Sequence, residues 1–183
     1  MKLLLHICCG PCALYPVKEL LNKKFDKITG FFYNPNIHPP SEYKRRKDAL
    51  YEASRGQACL SPTGFEIIYP EYKMEEYFRS VLSKEGSPER CSLCWELRLS
   101  ETASFAKGNG FDAFTTTLLV SPYQDHEKIK KIGERIAGEK GIQFYYQDFR
   151  PGFKDAQAQA KEENLYRQKY CGCVFSELER VKV

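Results

Sequence analysis

Cysteine is the residue type in this sequence with the clearest capacity for chemistry. Seven of the eight cysteines fall into three short groups, namely Cys8, Cys9 and Cys12, then Cys91 and Cys94, and finally Cys171 and Cys173. Two cysteines separated by one or two residues can present both thiolates to one metal centre. Buried thiols that act as small hydrophobic residues explain only the solitary Cys59 well. The three groups therefore predict a metal site.

The number of thiols favours iron–sulfur over zinc. A structural zinc ion is closed by four ligands, so the seven grouped thiols exceed what one tetrahedral ion can use. A cubane iron–sulfur cluster takes up to four thiolates. The remaining three thiols could serve a second metal, a redox dithiol or open catalytic chemistry, and the residues alone leave that choice open.

The composition is that of an ordinary globular protein and argues against a disulfide framework. The chain has 183 residues, of which 42% are hydrophobic and 28% charged, so we expect a single α/β domain over 1–183. The opening run, 1–7, is too short and too soon interrupted for a secretory signal. No stretch approaches the roughly 20 apolar residues that span a bilayer. We therefore expect a cytoplasmic protein with no membrane partner, in which thiols stay reduced.

The cysteines need a scaffold, and the hydrophobic pattern predicts alternating strands and helices. The predicted strands are 3–7, 28–33, 65–69, 112–117 and 143–146. The predicted helices are about 13–24, 41–55, 73–83, 92–107 and 125–140, followed by a helical C-terminal portion from about 153. This alternation indicates an α/β fold with a Rossmann-like (HUP-like), mostly parallel sheet of about five strands flanked by helices.

The segments that carry chemistry follow the predicted strands. In open parallel sheets ligands bind beyond the carboxyl ends of the strands, and four such loops are rich in polar or thiol groups, namely 8–12, 34–40, 121–125 and 148–152. The first of them has thiols and Pro11 where nucleotide-binding sheets often have a Gly- and Ser-rich phosphate loop. The sequence therefore predicts a site at this edge that does not use ATP.

Five motifs are spread along the chain. They are His6-x-Cys8-Cys9-Gly10-Pro11-Cys12, Cys91-Ser92-Leu93-Cys94, Thr115-Thr116-Thr117-Leu118-Leu119-x-Ser121-Pro122, Asp148-Phe149-Arg150 and Tyr166-Arg167-Gln168-x-Tyr170-Cys171-Gly172-Cys173. Together they resemble one known family, the QueH type of epoxyqueuosine reductase. The resemblance covers nearly the whole chain, with the motifs in the expected order.

The resemblance implies a cobalamin-independent oxidoreductase that acts on tRNA. It would convert epoxyqueuosine to queuosine at the wobble position of the anticodon, and the electron donor is not identified by the sequence. A [4Fe-4S] cluster and an additional mononuclear iron are implied, and the seven grouped cysteines are assigned to metal binding together. The net charge of +4 and a pI near 8.5 fit contact with an anticodon arm rather than an enveloping basic surface.

Other candidate site residues lie in the same motifs. Asp148 is the candidate catalytic residue, as a metal ligand or proton donor. The alternative is a structural role, in which Asp148 caps a helix or forms a salt bridge with Arg150. Four residues are candidates for binding the nucleoside or its backbone, namely Tyr123, Gln124, Tyr166 and Arg167. His6 falls inside a buried strand, so we expect a hydrogen-bonded core histidine and not a ligand.

Three other functions remain open at this stage. An ATP-dependent iron–sulfur tRNA thiolation enzyme would share the α/β fold but needs a phosphate loop. A thiol–disulfide oxidoreductase with Cys91 and Cys94 as the active pair would be colourless and active without iron. A zinc-stabilised RNA-binding module would bind tRNA without turnover. Iron content and ATP binding distinguish these from the reductase.

Overall fold

The sheet is fully parallel and has five strands, as predicted. The computed structural model describes residues 1–55 and 65–181, and Cys59 lies outside them. The sheet order is β3-β2-β1-β4-β5. The strands are β1 (Lys2–His6), β2 (Lys27–Phe31), β3 (Ile67–Ile68), β4 (Ala113–Thr116) and β5 (Gln143–Phe144).

Within residues 1–55 and 65–181, seven α-helices connect or cover the strands. They are α1 (Gly10–Leu21), α2 (Pro40–Arg55), α3 (Met74–Val81), α4 (Glu89–Gly108), α5 (His126–Lys140), α6 (Phe153–Glu162) and α7 (Val174–Leu178). Two 3₁₀ turns, Thr117–Val120 and Arg150–Gly152, follow β4 and β5. Among the described residues, no helix is both long and apolar enough to cross a membrane.

The central strand β1 fixes the position of the first cysteine group. Leu3, Leu4 and Leu5 are fully buried because both faces of the sheet are covered. β1 pairs with β2 on one side and with β4 on the other, and the strand order reverses between β1 and β4. Because ligands bind at such a reversal, the carboxyl ends of β1 and β4 form the expected site.

The outer strands and the first helix differ in extent from the sequence prediction. The predicted strands 65–69 and 143–146 are each only two residues long in the sheet, because each edge strand pairs with a single neighbour over two residue pairs. The prediction that α1 begins at about residue 13 was wrong. It begins at Gly10, since Pro11 has a φ suited to the first helical turn, and Cys12 therefore lies inside the helix.

His6 is a hydrogen-bonded core residue, as predicted. It is fully buried, with Nδ1 2.8 Å from Thr116 Oγ1 and Nε2 3.1 Å from the Tyr33 carbonyl oxygen. Burial lowers the pKa of His6 to about 3, so the ring is neutral at physiological pH. It ties the carboxyl ends of β1 and β4 together and leaves neither nitrogen free for a metal.

Gly10 allows α1 to approach α2 closely. A Cβ at this position would lie 2.7 Å from the carbonyl oxygen of Ala49, a backbone atom that cannot rotate away. We expect Gly10→Ala to lower the free energy of unfolding by about 1–3 kcal/mol, because the helices must separate. Gly138→Ala is the control, since Gly138 has nothing within 4 Å. Urea unfolding measures both, and equal stabilities would contradict the close approach.

Candidate metal centre

The first cysteine group forms a compact triangle of thiols between β1 and α1. Cys8 follows the strand, Cys9 is the extended N-cap of α1 and Cys12 lies in its first turn. The three Sγ atoms all lie within 4.8 Å of one another. The Sγ atoms of Cys8 and Cys9 are 3.8 Å apart. The strand-to-helix turn thus brings all three thiols together without any other element.

The three thiols do not ionise alike. Hydrogen bonds from the Cys12 and Cys9 thiols hold the pKa of Cys8 well below its usual range, and the Thr117 hydroxyl, 3.3 Å from its sulfur, adds to this effect. Burial raises the pKa of Cys9, and the hydrogen bond to the Cys8 sulfur raises that of Cys12. Cys8 is therefore the first thiolate, and thiolate is the form that binds metal.

The C-terminal segment covers this triangle. Gln168 places its side-chain nitrogen 3.1 Å from the sulfur of Cys9 and 3.6 Å from that of Cys12. The amide therefore donates toward thiols from a segment more than a hundred residues away in sequence. Gln168 belongs to a motif that carried the family resemblance, but the sequence analysis did not single it out.

The other four cysteines come together from two distant segments. Cys91 and Cys94 lie in the first two turns of α4, while Cys171 and Cys173 lie just before α7. Cys94 and Cys173 are buried, whereas Cys91 and Cys171 are exposed. Burial raises the pKa of Cys94 to about 12, and the Cys171, Cys173 and Cys91 thiols also raise it. Cys94 and Cys173 belong to one buried cluster, which brings the two segments together.

A buried ion pair holds the C-terminal segment against α2. Arg46 and Glu42 are both fully buried and joined at 2.8 Å. Arg46 also donates to the carbonyl oxygens of Cys171, at 3.0 Å, and Tyr170, at 3.1 Å. Gly172, between the two cysteines, has φ +141, a conformation that favours glycine. The spacing of four residues from Glu42 to Arg46 is the signal by which the sequence could have indicated this ion pair.

A cavity of about 620 Å³ opens between the two sets of thiols. Cys8, Cys12 and Cys171 line it, so it contacts both sets. Its size is that of a small-molecule site. Its charged lining residues are all cationic, namely Arg46, Arg98, Arg167, Lys169 and Arg180. The cavity therefore suits a ligand with anionic groups at its mouth.

Three of the four predicted substrate-binding residues line the cavity. Tyr123, Gln124 and Arg167 do so, and the Tyr123 side chain is 83% exposed at the edge. Trp95 donates to Gln124 Oε1 at 2.9 Å, which turns the amide nitrogen toward Cys171 Sγ at 3.9 Å. Tyr166 instead lies behind the cavity wall.

Tyr166 and Asp148 occupy supporting positions. The hydroxyl of Tyr166 donates to Glu42 at 2.6 Å, so this residue strengthens the buried ion pair. Asp148 does not line the cavity, and its carboxylate binds the Arg150 guanidinium, with a shortest distance of 2.6 Å. The hydrogen bond from Arg150 lowers the pKa of Asp148. The geometry thus matches the alternative that the sequence left open, a salt bridge with Arg150.

Comparison with known proteins gives the family. A family model described as epoxyqueuosine reductase QueH matches residues 3–179. The epoxyqueuosine reductase QueH of Dehalococcoides mccartyi is 40% identical over 98% of this chain and 94% of that protein. The corresponding protein of Thermotoga maritima is 37% identical over 97% of this chain and 91% of its own length. This chain belongs to the QueH family.

Three of the five QueH motifs contribute lining residues to the cavity. These are the first cysteine group, the segment after β4 and the stretch from Arg167 to Cys171, whereas Cys91, Cys94 and Asp148–Arg150 do not line it. A solved structure with little sequence identity to this chain has a similar fold. A predicted subunit of tRNA methyltransferase from Methanocaldococcus jannaschii aligns with a TM-score of 0.51 over 87% of this chain and 76% of that one, at 12% identity. This likeness concerns the fold alone and supports the Rossmann-like assignment.

Proposed function

We propose that this protein is a cobalamin-independent epoxyqueuosine reductase that forms queuosine at the wobble position of tRNA. The observation that carries the proposal is the cavity between two sets of thiols, lined by cations and by residues of the QueH motifs. Removing the epoxide oxygen to leave an alkene consumes two electrons and two protons and releases water. A redox centre next to a nucleoside-sized cavity suits this chemistry. A tRNA substrate would place the reaction in the cytoplasm.

The two sets of thiols support a division of the metals. Two thiolates bound tetrahedrally to one ion at about 2.3 Å lie about 3.8 Å apart, which matches the Cys8–Cys9 separation of 3.8 Å. We therefore assign the additional iron to Cys8, Cys9 and Cys12. The [4Fe-4S] cluster falls to the set of four, Cys91, Cys94, Cys171 and Cys173, because a cubane uses up to four thiolates. When bound, these centres would supply the electrons for the reduction.

The chain's own residues would bind and orient the nucleoside. A wobble base must leave its stack to enter the cavity, and single-stranded bases are held by aromatic stacking and edge hydrogen bonds. Tyr123, exposed at the edge, would stack on the base. Gln124, whose amide is oriented by Trp95, would donate to the nucleoside. Asp148 would act from outside the cavity wall, and a role in metal binding or proton transfer stays a prediction.

The direct test uses tRNA that contains epoxyqueuosine. Protein purified without oxygen is mixed with this tRNA and a low-potential chemical reductant, because the natural electron donor is unknown. The nucleosides are then separated and weighed by mass spectrometry. We expect queuosine to form, with about four sulfides and four or five irons per chain. Protein that holds iron and sulfide but forms no queuosine would overturn the proposal, and zinc alone would favour the RNA-binding alternative.

Binding of tRNA should depend on salt through the cavity mouth. Arg167, Lys169 and Arg180 have no carboxylate within 4.0 Å among the described residues, whereas the cations of α5 are largely paired. We expect Arg167→Met to reduce the slope of log affinity against log salt by about one. Tyr123→Ala should weaken binding by about 1–3 kcal/mol without changing the slope.

The matched control for these variants is Lys131→Met on α5. Lys131 is exposed and does not line the cavity, so its replacement should leave both affinity and slope nearly unchanged. Filter binding or fluorescence anisotropy at several salt concentrations measures all three variants. If replacing Lys131 lowers the affinity or the salt slope more than replacing Arg167, α5 and not the cavity mouth contacts the tRNA.

A further inference from the structure

Arg98 is a buried cation that lies between the two sets of thiols. It is on α4, one turn after Cys94, and its side chain is only 2% exposed. It nevertheless contributes to the wall of the cavity that contacts Cys8, Cys12 and Cys171. Among the charged side chains that the structure describes in that wall, only Arg98 is this deeply buried and also lacks a carboxylate partner.

The other buried cations have carboxylate partners. Arg46 is joined to Glu42 at 2.8 Å, and Arg90 is joined to Glu179 at 2.6 Å. Arg98 has no carboxylate within 4.0 Å among the residues that the structure describes. A charge buried without a counter-charge is costly, so folded proteins pair or neutralise such groups. Arg98 therefore needs an anion from another source.

The neutral contacts of Arg98 do not supply that anion. Its Nε donates to the Cys94 carbonyl oxygen at 3.3 Å, and Nη1 lies 3.5 Å from Asn34 Oδ1. Both distances are long for hydrogen bonds of this type. The buried Nη2 has no hydrogen-bond partner in the described part of the chain. The groups that act on Arg98 and can become anionic are the Cys94, Cys171 and Cys8 thiols, which belong to both sets, and the Tyr77 hydroxyl, whose pKa burial raises far above the physiological range.

We infer that Arg98 is the fixed counter-charge shared by the two sets of thiolates. The inference rests on the proposed function, because it needs metal-bound thiolates on both sides of the guanidinium. Four thiolates around a cubane give the centre a net negative charge, which grows when an electron is accepted. A nearby fixed cation stabilises the reduced state more than the oxidised state. Arg98 thus raises the reduction potential without contacting the substrate chemically.

The reduction potential tests this role directly. Arg98→Met keeps the length and apolar stem of the side chain and removes its charge, while Arg98→Lys keeps the charge. The midpoint potential is measured by redox titration of the anaerobically loaded protein, followed by absorbance and electron paramagnetic resonance. We expect a more negative potential for the Met variant and a value near that of the unsubstituted protein for the Lys variant. Lys131→Met, an exposed change on α5, should have no effect.

A second measurement uses the protein without iron. Co²⁺ is titrated anaerobically, and the absorption of the thiolate–cobalt bond reports binding. Binding converts neutral thiols into thiolates, so loss of the cation in Arg98→Met should weaken Co²⁺ affinity by roughly tenfold. Arg98→Gln provides the same comparison where the Met variant does not fold, as judged by circular dichroism.

The outcomes separate this inference from the proposed function. Unchanged potential and unchanged Co²⁺ affinity in the neutral variants would overturn the role of Arg98 and leave the reductase assignment standing. A shifted potential in a protein that forms no queuosine would support Arg98 as the counter-charge and overturn the reductase assignment. A Lys variant that behaves like the Met variant would also overturn the inference, since charge would then not be the cause.

Discussion

Loss of the proposed iron–sulfur cluster, together with reductase activity, is the expected result of Cys94→Ser. Cys94 is 7% exposed and lies in an apolar cluster with Tyr77 and Val81, where a neutral serine hydroxyl is a much weaker iron ligand than a thiolate. Activity should fall by about 10³-fold or more, which corresponds to ~4 kcal/mol of lost transition-state stabilisation. Sulfide and most of the iron should be lost with it.

Cys9→Ser should give a different metal content with a similar loss of activity. If the triangle of Cys8, Cys9 and Cys12 holds a single iron, this variant keeps its sulfide and loses about one iron per chain. Iron and sulfide analysis of anaerobically purified protein distinguishes the two variants, and queuosine formation is assayed in parallel. Cys59→Ser, at the cysteine outside the three groups, is the matched control. Identical metal losses in Cys9→Ser and Cys94→Ser would contradict the proposed division of the thiols.

Glu42→Gln should cause the largest loss of stability among conservative substitutions in α2. The change removes the negative charge and leaves Arg46 buried without a counter-charge, while the shape of the side chain is kept. Breaking a buried pair in this way costs about 3–5 kcal/mol. The hydroxyl of Tyr166, which donates to the same carboxylate, also loses its charged acceptor. Because Arg46 holds the carbonyl of Cys171, metal retention should weaken as well.

Asp48→Asn is the matched control for this substitution. It makes the same chemical change on the same helix, but Asp48 pairs with Lys44 on the surface at 2.6 Å, and both side chains are more than half exposed. Such a pair contributes at most about 1 kcal/mol. Urea unfolding of the metal-free proteins gives both values, and thermal unfolding checks their order. Equal losses of unfolding free energy from the two substitutions would show that the buried ion pair does not hold the C-terminal segment.

The local pattern of the chain was enough to predict the layers of the fold. The central strands are short, apolar and buried on both faces, a pattern that only a covered parallel sheet explains. The predicted and observed elements differ at the two edges of the sheet and at the start of one helix. β3 and β5 are shortened because edge pairing depends on a single neighbour, and α1 begins three residues early because Pro11 favours the first turn of a helix.

The supporting residues of the site were not predictable in the same way. The spacing from Glu42 to Arg46 indicates an ion pair on one helix face but not its burial, and no neighbour of Arg98 shows that other segments cover it. Gln168 lies in a recognisable motif, but only the folded chain places its amide nitrogen 3.1 Å from the sulfur of Cys9. Asp148 follows a strand as a catalytic residue would, yet its carboxylate turns to Arg150 two residues away.

The sequence by itself predicted a thiol-rich turn at the carboxyl end of β1 and a metal site built from three cysteine groups, because cysteine spacing and strand ends are local properties. The tertiary structure decided which thiols lie together, with Cys8, Cys9 and Cys12 grouped at the turn after β1 and Cys94 and Cys173 in one separate buried cluster. It also decided which cations are buried between them. These outcomes depend on distances between residues far apart in the chain, and only the packing of α2, α4 and the C-terminal segment sets those distances.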